Sequence, residues 1–264
     1  MPKLMNTRRL ATFRRALGLL RSFPLEQRDP ARFYSGLARD TADQLEALAA
    51  DCGLKSLSGL RILDVGGGPG YFATEFARRG ATYFSLEPSE AELAAAGLAH
   101  PLAIRGDGRA LPFPDNSFDL VFSSNVVEHI SSPWRMGADM LRVVKPSGLA
   151  VVSYTIWLGP FGGHETGLWQ HYVGGDFARR WYERRHGHPP KNVFGTSLFN
   201  VSCAAGLRWA RSSGAALLGA FPRYHPSWAW WLVRPPILRE FLVSNLVLVL
   251  RPTTQNAFEM TRIG

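Results

Sequence analysis

The stretch Leu63-Asp64-Val65-Gly66-Gly67-Gly68-Pro69-Gly70-Tyr71-Phe72 decides how the chain folds. The apolar residues 60–65 read as a buried strand. Gly66, Gly68 and Gly70 follow at alternate positions, and 70–79 reads as a helix. Strand, glycine loop and helix together set backbone N–H groups and a helix N-terminus against a ligand. Glycine is needed where a Cβ would hold the ligand off the backbone, or where φ is positive. Dinucleotide sites favour G-x-G-x-x-G, whereas here Asp64 stands two residues before glycines spaced by two.

Outward from this loop, apolar strands alternate with helices. Strands are expected at 60–65, 82–87, 102–105, 118–124 and 149–155, and helices at 70–79, 89–97 and 133–144. This rhythm predicts a doubly wound parallel sheet with right-handed crossovers. A sixth strand is expected within 206–218 and a last one at 245–250, giving an α/β Rossmann-like sheet of about seven strands. Four regions follow: a helical N-terminal extension or lid (1–56), a core (57–156), inserted cover segments with the last strands (157–252), and a tail (253–264). Residues 41–52 read as a helix stopped by Gly53. Residues 1–25 carry Lys3, Arg8, Arg9, Arg14, Arg15 and Arg21 and no acid, with Leu10, Phe13, Leu17 and Leu20 at helical spacing. A basic amphipathic helix of this kind lies on a membrane surface or caps a site.

The 264 residues, 46% of them hydrophobic, suffice for one sizeable core. No apolar run reaches the ~18 residues of a membrane span. Cys52 and Cys203 are the 2 cysteines, which suits a reducing compartment, and the expected location is cytoplasmic, with association to the inner face of the membrane. The net charge of +9 comes mostly from arginine, and the pI near 10.1 admits anionic partners without choosing among them.

Glu87 ends the second expected strand, where an acid reaches a ribose diol in a doubly wound fold, since a carboxylate accepts from both hydroxyls. Ser89 offers itself as a cap for the next helix. Asp107 lies between Gly106 and Gly108, and Phe118-Asp119-Leu120-Val121-Phe122-Ser123-Ser124-Asn125 leads into Val126-Val127-Glu128-His129-Ile130. Met140 to Leu149 completes the series, with Gly148 expected to end a helix. In these features residues 57–156 resemble the core of class I S-adenosylmethionine (SAM) dependent methyltransferases. The flanks resemble a group of uncharacterised actinobacterial proteins named as methyltransferases. The resemblance implies SAM as cofactor, held by Asp64, Gly66, Gly67, Gly68, Gly70, Glu87, Asp107, Gly108 and Asn125. Asp107 would accept from the adenine amino group, Leu111 and Phe113 would wall the adenine, and Asn125 would lie near the methionine part.

The implied reaction is in-line displacement of a methyl group, in which the protein chiefly aligns the reactants. A hydroxyl acceptor must lose a proton. His129, His164, Glu165 and His171 are the candidate bases, His164 first because Gly162-Gly163 place it on a loop after the fifth strand, and His129 second. The spacings His186-x-His188 and His164 to His171 carry no metal assignment. The cluster Arg179, Arg180, Arg184, Arg185 and Lys191 fits a phosphate or a solvated helix face, and Trp228, Trp230 and Trp231 fit a greasy cover, an interface belt or core packing. The expected acceptor is a small or lipid-linked molecule, methylated on oxygen, with an anionic membrane surface as partner. RNA methylation is disfavoured because no RNA-binding module accompanies the core. A non-catalytic SAM-fold binding module is the remaining alternative.

Overall fold

A computed structural model describes residues 2–94 and 102–253. The expected helix end at 95–97 and tail residues 254–264 lie outside the described residues. Four helices come first: α1 (Met5–Leu10), α2 (Phe13–Ser22), α3 (Leu25–Arg28) and α4 (Pro30–Asp51). The core then runs β1 (Arg61–Val65), α5 (Tyr71–Arg78), β2 (Thr82–Glu87), α6 (Glu90–Ala94), β3 (Ala103–Arg105), β4 (Phe118–Ser124), α7 (Pro133–Val143) and β5 (Val144–Thr155). Helices α8 (Gln170–Val173), α9 (Gly175–His186) and α10 (Cys203–Ser212) precede β6 (Ala216–Pro222), and α11 (Leu238–Leu242) precedes β7 (Asn245–Arg251).

The 7 strands form one sheet in the order β3-β2-β1-β4-β5-β7-β6. β1 to β5 pair in parallel. β7 is antiparallel to both neighbours, so the sheet is mixed, with the five strands of the alternating core parallel as expected. Alternate side chains face opposite sides. Leu246, Leu248 and Leu250 join Leu63, Val121 and Met140 on one face. Val247 and Val249 join Ile62, Phe76 and Leu45 on the other. Both faces are covered, as an α/β sheet requires.

Several boundaries depart from expectation, among them the start of α4 at Pro30 rather than 41 and of β5 at Val144 rather than 149. Basic residues 1–25 form two principal helices, because the Thr12 side chain accepts from Arg15 N (3.1 Å) and starts α2 anew. The strand sought in 206–218 starts only at Ala216, since Ser202 caps α10 by accepting from Ala205 N (3.0 Å). Gly148 lies inside β5 rather than at a helix end, and a Cβ there would stand 2.5 Å from Asp119 O, so glycine serves the close approach of two strands.

The N-terminal helices are tied to the sheet layer. Leu45 and Leu48 of α4 are fully buried in the core cluster of Phe76 and Phe122. Asp51, at the end of α4, accepts from Asn6 N (2.9 Å), Thr7 N (2.9 Å) and Thr7 Oγ1 (2.7 Å). It thereby supplies the cap that α1 lacks locally. Asp51→Ala is expected to lower stability in urea denaturation by about 1–2 kcal/mol, and Asp51→Asn by less.

Candidate active site

The carboxyl ends of the parallel strands open into a cavity of about 2180 Å³. Its walls come from the glycine loop, the ends of β2, β4 and β5, helix α2, and the segments after β5 and β6. A ligand site is expected at this edge of such a sheet.

Gly66, Gly68 and Gly70 all have positive φ, at 85°, 53° and 85°. At Gly66 an added Cβ would collide with Val126, so the loop is pressed onto the segment after β4. At Gly68 a Cβ would meet nothing within 4 Å, so the backbone there faces open cavity. Glu87 reaches back to this loop, its Oε2 accepting from Gly68 N (3.3 Å) and its Oε1 from Ser89 N (3.1 Å). Burial pushes the Glu87 carboxyl up, and the two amides oppose that shift. Ser89 itself caps α6, accepting from Glu92 N (3.2 Å), so Glu87 is left free of that task. Each Glu87 oxygen keeps a lone pair for a hydroxyl.

Asp64 is buried under the loop, and its Oδ2 accepts from Tyr83 OH (2.7 Å). Burial pushes its pKa up to about 7. The Tyr83 hydrogen bond opposes the shift, nearby Glu87 adds to it, and Arg223 opposes it. Asp107 also borders the cavity, but its carboxylate is paired with Arg109 (2.7 Å), which holds it below the usual range. Acceptance from an adenine amino group therefore competes with that pair. Gly108 fits against Val65 and Met136, where a Cβ would stand 2.9 and 3.3 Å from side-chain carbons. Leu111 and Phe113, expected as an adenine wall, pack instead in the core with Phe118. Leu86, Pro88, Val126 and Ile130 are among the apolar residues that border the cavity.

Asn125 sits at φ 58° just past β4. Its Oδ1 accepts from Asn245 Nδ2 (2.6 Å), and Asn245 Oδ1 in turn accepts from Ser153 Oγ (2.9 Å). Below them Arg223, 1% exposed, donates to Ser124 Oγ (2.5 Å), Ser153 Oγ (3.1 Å) and Thr41 Oγ1 (2.6 Å). Sequence reading missed Arg223, Asn245 and Tyr224, which follow the break in rhythm where no motif marks them. It also missed Tyr34, stacked on Tyr71 at 5.4 Å on the cavity wall.

His129 and His164 both border the cavity, their rings 5.1 Å apart. His129 Nδ1 lies 2.7 Å from Ser197 O, and His164 Nδ1 lies 3.1 Å from Gly162 O. A carbonyl only accepts, so each Nδ1 carries the hydrogen and each Nε2 keeps a lone pair. The other two candidate bases are engaged elsewhere. Glu165 binds Asn192 N (2.6 Å) and Nδ2 (2.9 Å), and His171 is buried with Nε2 on Gly159 O (3.1 Å), burial lowering its pKa. The arginine cluster of α9 resolves into a solvated face, with Arg179 paired to Glu183 (2.7 Å) and Arg185 over Trp181 (5.3 Å).

The methyltransferase domain family model matches residues 63–152. A protein from Mycobacterium marinum named an uncharacterized methyltransferase is 58% identical over 92% of this chain and 96% of its own length. One of the same name from Mycobacteroides abscessus is 56% identical over 92% of this chain and 95% of its own. Among solved structures, a SAM-dependent methyltransferase from Thermotoga maritima shares the fold at 18% identity and a TM-score of 0.50, over 88% of this chain and 97% of that one.

The raised Asp64 value carries a pH prediction. Its folded value of about 7 exceeds the ~4 of an unfolded aspartate, so the folded state favours the protonated acid. That contribution is complete below about pH 4 and is lost as pH rises through 7. Asp64→Asn stays neutral and keeps an acceptor for Tyr83. Its melting temperature is expected to gain on wild type from pH 5 to about 7 and to level off above that, and a constant difference from pH 5 to 7 would contradict the assignment.

Proposed function

We propose that this chain, which belongs to the SAM-dependent methyltransferases, binds SAM over the glycine loop and methylates an oxygen of an amphiphilic, lipid-linked acceptor. The loop amides and Glu87 fit the donor: Gly68 faces open space, and the Glu87 oxygens keep lone pairs for the ribose diol. Asp107, Gly108 and Asn125 border or support the same cavity. When bound, SAM supplies a methyl group on a positively charged sulfur, so the leaving group needs no activation.

The chain's residues have two remaining tasks. The first is to align the acceptor, which the cavity walls perform by shape and apolar contact. The second is to take the hydroxyl proton, for which Nε2 of His164 or His129 is free.

The observation that carries the acceptor class is α2. None of its residues is buried, yet Ala16, Leu17 and Leu20, with Phe23 just after it, border the same cavity as the glycine loop. A helix with an apolar stripe left uncovered by protein suits a ligand with a hydrocarbon part. Phe13 at 63% exposure, Trp228 at 71% and Ile237 at 74% extend the apolar surface outward. Exposed Arg8, Arg9, Arg14 and Arg21 fringe it, as attraction to anionic lipid requires. Trp230 does not contribute, being buried and stacked on Phe221 at 4.3 Å. No helix among the described residues is long and apolar enough to cross a membrane, so contact would be peripheral.

Two measurements test this reading. Calorimetry should find SAM binding that Glu87→Ala weakens by about tenfold or more, the value of a hydrogen bond to a charged group, with Glu87→Gln in between. Incubation with methyl-labelled SAM should label the lipid fraction of a membrane extract, and Leu17→Glu should abolish that labelling while leaving SAM affinity unchanged. Label confined to water-soluble metabolites would refute the lipid-linked acceptor.

A further inference from the structure

The turn after β4 and the turn after β5 bring three ligand atoms together. Glu128, His129 and His164 each offer one, all within 4.8 Å of one another. Glu128 follows directly on the sheet and is 1% exposed. Its Oε1 accepts from Thr155 N (3.0 Å), which holds the carboxylate in place. Its Oε2 is buried and has no hydrogen-bond partner among the described residues. A carboxylate oxygen taken out of water with nothing to meet it is destabilising. A nearby positive charge would remove that cost.

The two imidazoles are prepared in a complementary way. Ser197 O and Gly162 O take the Nδ1 hydrogens, leaving Nε2 of each ring as a donor of electrons. Such carbonyl partners fix the tautomer and orientation of metal-binding histidines. His164 holds its position at φ 49°, an uncommon conformation for a residue with a side chain. Gly162 beside it allows the chain to turn against Trp157, whose carbonyl a Cβ would strike.

From this convergence we infer that Glu128, His129 and His164 bind a divalent first-row transition-metal ion on the acceptor side of the cavity. Two imidazoles and one carboxylate suit Mn²⁺, Fe²⁺, Co²⁺ or Zn²⁺ better than the all-oxygen preferences of Mg²⁺ or Ca²⁺. The spacings considered in the sequence, His186 with His188 and His164 with His171, are not the ones used. The inference deepens the methyltransferase reading and rests on it for its chemistry. Three protein ligands leave positions open for an acceptor hydroxyl. A hydroxyl bound there loses its proton to solvent at lower pH. Its oxygen then forms the bond to the methyl carbon as the carbon–sulfur bond breaks, and the electron pair of that bond stays on sulfur. The cation thus takes over the task otherwise given to a histidine base.

The test uses the full chain, stripped with chelator and titrated with Co²⁺ while its visible d–d absorption is followed. One saturable equivalent is expected, with His164→Ala and Glu128→Gln each weakening it about tenfold or more. Glu128→Gln keeps an acceptor for Thr155 N, and circular dichroism verifies that both variants fold. No saturable Co²⁺ band, or one that both variants retain, would overturn the site. SAM calorimetry on the same samples reports the donor site separately. SAM binding without Co²⁺ binding refutes the cation alone, whereas loss of both in wild type refutes the methyltransferase reading as well.

Discussion

A buried guanidinium holds the functional edge of the sheet together. Arg223 stands where β6 ends, almost wholly out of water, and its N–H groups must find acceptors inside the protein. The two terminal nitrogens find hydroxyls, Ser124 at the end of β4, Ser153 near the end of β5 and Thr41 on α4, while Nε meets no acceptor among the described residues. One side chain therefore ties two central strands to a helix of the N-terminal region. Its carbonyl oxygen accepts from Arg15 (3.0 Å), whose guanidinium also pairs with Asp40 (2.6 Å), so α2 is drawn into the same assembly. The cavity roof and the sheet beneath it share one anchor.

From this anchor the polar network reaches the site. Ser153 donates to Asn245, and Asn245 donates to Asn125. The reversal of β7 makes this possible, because it brings the start of that strand to the edge where the parallel strands end. Arg223 also opposes the rise in the Asp64 pKa, which couples the anchor to the carboxylate under the glycine loop. Removing one partner disturbs several elements at once.

The parallel core was legible in the residues for a simple reason. Its strands are short apolar runs with both faces buried, and its punctuation is glycine and proline. Leu63, Val65, Phe118 and Val121 declare themselves locally, as does the positive-φ loop at Gly66 to Gly70. Glu87 and Asn125 were legible because their place at strand ends follows from the order of elements. Leu111 and Phe113 misled because apolar character alone does not say which wall of a strand–loop segment faces a ligand. The 206–218 region misled because the Ser202 cap commits α10 to a helix and delays the strand to Ala216.

The alternation of strands and helices, the glycine loop and the acid that answers it were readable along the chain, since these depend on neighbours within a few residues or on the regular crossover between successive strands. It took the packed fold to bring Arg223 beneath the site, to turn the apolar stripe of α2 to a cavity rather than to a core, and to make Glu128, His129 and His164 converge. Those facts depend on which distant segments meet. Arg223 and Thr41 are separated by 182 residues, and nothing in the local pattern of either records the other.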